Sequence, residues 1–214
     1  MIHFIGTSFA PRHLKLAAVR RYIPVTDNIE EADCVFISED TPTDDGHRDL
    51  SVIYSLIYET VNQYRGTLVL TSQVPPGFTR SLNLPIYHMA ETLRVKDAEV
   101  RAYRPEQFIV GCKDPSEDLP ESFKRYLRAF ECPVFKMTYE EAEFSKIAIN
   151  MTLASQVENA NRLSEVAKKL GCEWDNIKTV LEHDKRIGKY SYLTPGDWRQ
   201  SSHLLRDWVT LQTL

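Results

Sequence analysis

The sequence predicts an α/β protein: an abbreviated, Rossmann-like, mainly parallel sheet, then a long spine helix and a small all-α part. Three observations carry this. Through residues 1–137 short apolar runs alternate with helix-spaced segments, the pattern of parallel strands joined by helical crossovers. From Thr138 to Leu170 an apolar period of three to four residues then continues without a break. Between Gly6 and Asp33 there is room for about one crossover of roughly 30 residues, so only part of a doubly wound half precedes the second strand.

Taken in order, "IHFIG" reads as a strand that enters a turn and a helix. "DCVFIS" reads as a buried strand. "DLSVIYSLIYETVNQY" places Val52, Leu56, Ile57 and Val61 at helical spacing. "TLVLTS" and "LPIYHM" are strand-like, "LPESFKRYLRAF" is an amphipathic helix, and "PVFKM" is the last strand. Thr138 and Glu141 form a T-x-x-E capping box at the start of the spine helix, and Gly171 stops it. At about 1.5 Å per residue that helix is on the order of 50 Å long, too long for a small sheet domain to cover alone. "EWDNIKTVLE" is a shorter helix, followed by a polar loop, "TPGDWRQSSHLLRD", and a tail. The expected division is an α/β domain over 1–137 and a helical domain over 138–214.

Composition narrows the function. Hydrophobic residues are 43% and charged residues 26% of the 214, an ordinary globular balance, and the formal charge is −4. That leaves no positive excess to drive nucleic-acid binding. No apolar run approaches the roughly 20 residues needed to cross a bilayer. The first residues lack the basic start and apolar centre of a signal peptide. Four cysteines, Cys34, Cys112, Cys132 and Cys172, form no C-x-x-C pair, so reduced core thiols are expected and no metal site. A cytoplasmic protein is the expectation.

Four stretches carry candidate chemistry. In "FIGTSFAPRH" a strand, a glycine turn and a helix could cradle a diphosphate on backbone N–H groups. Of the G-x-G-x-x-G pattern only Gly6 is present; Ser8 and Pro11 stand at the other two positions, and Pro11 brings no N–H. A plain strand-to-helix turn is the alternative. Asp27 stands at about the distance, some 20 residues on, where such sites place an acid on the ribose. "TSQVPPGFTR" fixes a sharp turn after a strand, and ligands of open α/β sheets bind at that edge. Glu143, Lys146 and Asn150 are spaced three and four apart and so share one helix face, where an ammonium and an amide could steady a developing negative oxygen. Ser202, His203 and Asp207 resemble an acyl-transfer set, but adjacent Ser and His side chains diverge and no G-x-S-x-G elbow is present.

Together, "TPTDDGHRDLS", "TSQVPPGFTR", "YRPEQFIVG", "EAEFSKIAIN" and "DKRIG…TPG" occur in an order that resembles the UDP-glucose/GDP-mannose dehydrogenase family. Members of that family oxidise a nucleotide-sugar alcohol to a carboxylate in two NAD-dependent steps. The resemblance implies that Lys146 and Asn150 match the helix lysine and asparagine that stabilise oxyanions and position water. It matches Glu106 to the general base, Asp207 to the acid closing the catalytic loop, and Arg186 to the arginine reaching the sugar nucleotide across a dimer. Coenzyme contacts are implied at Gly6, Thr41, Pro42, Ser72 and Gln73. The resemblance also implies a homodimer through helix 138–170.

Three positions depart from the family. The catalytic cysteine falls on His203, a threonine falls on Gln73, and a second glutamate falls on Val110. The family's C-terminal nucleotide-binding domain is expected to be absent. Three functions follow as expectations. The first is a divergent dehydrogenase limited to altered or single-step oxidation. The second is a non-catalytic dimeric binding or scaffold protein, and the third a non-redox enzyme on a sugar derivative using Glu106, Lys146 and His203.

Overall fold

A computed structural model describes residues 1–44 and 47–214 of the chain. In order, β1 (Ile2–Ile5), α1 (Phe9–Arg20) and β2 (Cys34–Ile37) are followed by a small ribbon, β3 (Thr43–Asp44) and β4 (His47–Arg48). Asp45 and Gly46 of the "TPTDDGHRDLS" segment lie outside the described residues. Next come α2 (Ser51–Gln63), β5 (Thr67–Leu70), α3 (Phe78–Ser81), β6 (Ile86–Met89) and α4 (Ala98–Tyr103). Then follow β7 (Phe108–Cys112), α5 (Glu121–Arg128) and β8 (Val134–Thr138). The chain continues with α6 (Tyr139–Lys169), α7 (Trp174–His183) and α8 (Ser202–Thr213). Two compact units divide this chain: Met1–Pro42 with Arg48–Lys146, and Thr43–His47 with Ile147–Leu214.

The first unit is built on a six-stranded sheet ordered β1-β2-β5-β6-β7-β8. Every neighbouring pair is parallel except β6 with β7. Helices cover both faces, so the central strands are apolar throughout: Cys34, Val35, Phe36 and Ile37 are all buried. Alternation divides them between two cores. Phe36 packs with Phe108, Phe123 and Tyr126 on one face, while Val35 and Ile37 pack with Ile53, Ile57 and Leu70 on the other. β1 stands at the sheet edge. Beyond it, among the described residues, lies an isolated bridge to Val25, where Ile2 N–H donates to Pro24 O at 2.8 Å and Thr26 N–H to Ile2 O at 3.0 Å.

α6 opens as the capping box predicts. The Glu141 carboxylate accepts from Thr138 N–H at 2.8 Å, and Thr138 Oγ1 accepts from Glu141 N–H at 3.4 Å. Its first turns press on β7 at Gly111, where a Cβ would stand 2.9 Å from Ala142 Cβ and 3.1 Å from Tyr139 Cα. The helix has 31 residues, about 46 Å at 1.5 Å each. It ends with Gly171 at φ +71°, and Cys172 N–H closes back on Ala167 O at 2.8 Å.

In the second unit Ala154, Val157 and Trp198 form a small core with Met151, Tyr192 and Leu204. Asn161 fixes the neighbouring turn, its amide exchanging two 2.8 Å bonds with the Gly196 backbone. One expectation is corrected here. Ser202, His203 and Asp207 are not in a loop: they belong to α8.

Candidate functional site

At the sheet's carboxyl edge the candidate coenzyme residues converge, but largely on one another. Ser72 follows β5, and its hydroxyl accepts from Glu39 N–H at 2.8 Å and donates to Glu39 O at 2.7 Å. Thr41 Oγ1 donates to Gln73 O at 3.2 Å, and Arg48 donates to the same carbonyl at 2.9 Å. Pro42 is exposed, and its carbonyl accepts from Asp49 N–H at 2.8 Å. Gly6 has φ +125°, and a Cβ there would lie 1.7 Å from Ser38 O. Glycine is therefore required for close approach of β1's end to β2's, with or without a ligand.

The centre of this cluster is Glu39, which the sequence reading passed over. Its carboxylate accepts from Thr7 N–H at 2.8 Å, from the Thr7 hydroxyl at 3.2 Å and from Asp40 N–H at 3.1 Å. Burial pushes this carboxyl's pKa up, but the Thr7 and Asp40 N–H bonds outweigh it and hold the group below its ordinary value. Arg12 closes the same turn by donating to Thr7 O at 2.9 Å. The signal in the sequence was the acid pair Glu39–Asp40 directly after an apolar strand.

The face shared by Glu143, Lys146 and Asn150 is divided in its tasks. Glu143 is 1% exposed, and its carboxylate accepts from Gly77 N–H at 2.6 Å and Thr79 N–H at 2.8 Å. Burial raises its pKa against those bonds. The free amides expected after "VPPG" are thus satisfied by a protein carboxylate. Gly77 sits at φ +88°, which glycine tolerates. Lys146 is half-buried one helix turn further on. Because β7 runs antiparallel to β6, Glu106 just before β7 stands at the carboxyl edge of the parallel strands. It is exposed and pairs with Arg101 at 3.3 Å.

In the second unit two candidates meet. Asn150 Nδ2 donates to Asp207 Oδ2 at 2.6 Å. Arg206 Nε donates to Asp207 Oδ1 at 3.2 Å, and all three residues are buried. Arg206 was the missed member; beside an acid in a stretch read as a polar loop, it passes for a solvated charge. His203 lies on the first turn of α8 and is exposed. Arg186 is exposed and bonded to its neighbour Asp184 at 2.7 Å. Asp27, considered for a ribose, receives the Lys15 ammonium at 2.5 Å.

The residues at the first turn do not fit the diphosphate of a nicotinamide coenzyme as they stand. Such a group needs free N–H donors where α1 begins. Thr7 N–H is already given to Glu39, and Pro11 has none to give. Among the described residues the six-stranded sheet ends at β1 on this side. Among the described residues no group of three or more His, Cys, Asp or Glu could hold a metal ion, and no helix is long and apolar enough to cross a membrane.

Residues 140–207 match the model of the UDP-glucose/GDP-mannose dehydrogenase family, central domain. The UDP-glucose 6-dehydrogenase YwqF of Bacillus subtilis is 28% identical over 175 residues, which is 75% of this chain and 39% of that one. A UDP-glucose dehydrogenase structure from Pyrobaculum islandicum superposes with TM-score 0.71 at 19% identity, covering 99% of this chain and 67% of the other. Psf3, solved with NADP+, has the same fold at TM-score 0.65 and 13% identity, covering 100% and 86%. The chain spans less than half the length of the curated relatives it matches, 39% in the case of YwqF. The central-domain match runs from α6 to Asp207 in α8, and this segment belongs to the UDP-glucose/GDP-mannose dehydrogenase family.

Proposed function

We propose that the chain is a non-catalytic, dimeric binding protein derived from sugar-nucleotide dehydrogenases, which holds a sugar nucleotide or a smaller anionic sugar. The observation that carries this reading is His203, an exposed imidazole on α8 at the position matched to the family's cysteine. A thiolate can hold an aldehyde as a thiohemiacetal, from which a second oxidation can proceed. An imidazole forms no equivalent stable adduct. The turn filled by Glu39 supports the same reading from the coenzyme side.

Dimerisation through helix 138–170 is part of the proposal. Leu163 and Val166 on that helix and Leu170 just after it are 41%, 51% and 72% exposed, an apolar stripe that a second copy would cover. One second reading is favoured by the retained Glu106, Lys146, Asn150 and Asp207: a single two-electron oxidation of an alcohol to an aldehyde, with NAD taking the hydride and a base the hydroxyl proton.

Melting temperature measured against UDP-glucose, GDP-mannose and glucose 1-phosphate, with light scattering for mass, tests the binding reading. It expects a saturable rise with at least one ligand, since a ligand at about 100 times its Kd adds about 2.7 kcal/mol to the native state. It also expects the mass of two chains. A monomer that no sugar phosphate stabilises would overturn it.

A further inference from the structure

We propose that Glu39 is a built-in anion that fills the diphosphate position of the first turn and is the residue that closes this chain to nicotinamide coenzymes. The inference rests on the geometry of that turn and not on His203: a chain that bound coenzyme without turnover would refute it and leave the binding-protein reading standing.

A turn between a strand and a helix presents backbone N–H groups to whatever negative group is nearest. Here that group is the chain's own. Glu39 follows β2 by two residues, so its backbone is fixed at the strand end, and Ser72 holds its N–H and C=O from the neighbouring strand. With the backbone pinned on both sides, the side chain reaches across to Thr7, where one oxygen takes both the amide and the hydroxyl. The second oxygen takes Asp40 N–H. These bonds hold the carboxyl ionised against the opposing effect of burial.

An incoming diphosphate would need the same Thr7 amide and would meet a like charge at contact distance. The collision is local to the turn. Ser8 and Pro11 make the turn a poorer cradle, but neither places a negative charge in it. Glu39 therefore differs from the other departures in sign as well as in size. Removing its charge should return the amide to outside anions, and inorganic pyrophosphate is the cleaner probe because it needs only the turn, whereas NAD is the more demanding one.

The experiment is calorimetric titration of the wild-type chain, Glu39→Gln and Glu39→Gly with inorganic pyrophosphate and with NAD. Folding of each variant is checked by circular dichroism. Wild type is expected to bind neither saturably. Both variants are expected to bind pyrophosphate at least about tenfold more tightly than wild type, a difference of about 1.4 kcal/mol. Should the glycine variant misfold, the isosteric glutamine variant carries the comparison. Amide NMR of the wild type gives a readout that needs no variant: the Thr7 N–H resonance should not move as pyrophosphate is added. Saturable NAD binding by the wild type, a moving Thr7 resonance, or folded variants that gain no pyrophosphate affinity would each overturn the proposal.

Discussion

Asn150 and Asp207 are joined by a 2.6 Å hydrogen bond between buried side chains that are 57 residues apart. Asp207 is also the acceptor for Arg206, so a carboxylate, an amide and a guanidinium share one buried site. Removing one member of a buried charged pair strands the other in low dielectric, which costs about 3–5 kcal/mol, whereas losing a neutral donor costs about 1–3 kcal/mol. Asp207→Ala should therefore lower urea-unfolding stability clearly more than Asn150→Ala. Equal and small losses, below about 1 kcal/mol, would mean that the pair does not hold α8 to α6.

Glu143 gives a second prediction. Its carboxylate is the acceptor for two backbone N–H groups in the 77–79 turn. Glu143→Ala leaves both amides without that partner, at about 1–3 kcal/mol for each buried group left unsatisfied. The loss should show in the midpoint of chemical unfolding and in faster amide exchange at Gly77 and Thr79. Glu143→Gln keeps one acceptor and should lose less. An alanine variant with native exchange at both amides would show that water replaces the carboxylate without cost.

His88 predicts the response to acid. It is 2% exposed on β6, its Nδ1 has no hydrogen-bond partner, and burial lowers its pKa from 6.5 to about 4. The folded state therefore keeps it neutral while the unfolded chain takes up a proton below about pH 6.5. Its contribution is complete above that pH and is lost as pH falls toward 4, reaching about 2 kcal/mol by pH 5. His88→Leu should flatten that part of the stability curve relative to wild type. Parallel curves for the two proteins between pH 7.5 and 5 would contradict the assignment.

Much of the fold was legible because its signals are local. β2 and β5 are short apolar runs with both faces covered, and Thr138 with Glu141 announces the spine helix through the bonds it then makes. β7 was not read as a strand: Phe108–Cys112 is five residues that begin inside the polar "YRPEQFIVG" stretch, and its antiparallel pairing with β6 has no signal in sequence at all. α8 escaped for a different reason. Its inner face is Arg206, Asp207 and Thr210, so a helix buried on charged residues reads as a polar loop. The site was legible as a set of residue types and much less so as geometry. Glu39 and Glu143 carry charges that look solvated in the sequence, yet each is held on backbone amides by a partner more than 30 positions away.

The most direct measurement is an anaerobic incubation of purified protein with UDP-glucose or GDP-mannose and NAD or NADP. Absorbance at 340 nm and the sugar product are followed together. A scaffold with an imidazole at position 203 and a carboxylate in its first turn should produce neither reduced coenzyme nor uronate above the protein-free control. Uronate accumulating with two reduced coenzymes per sugar would contradict the account at its centre.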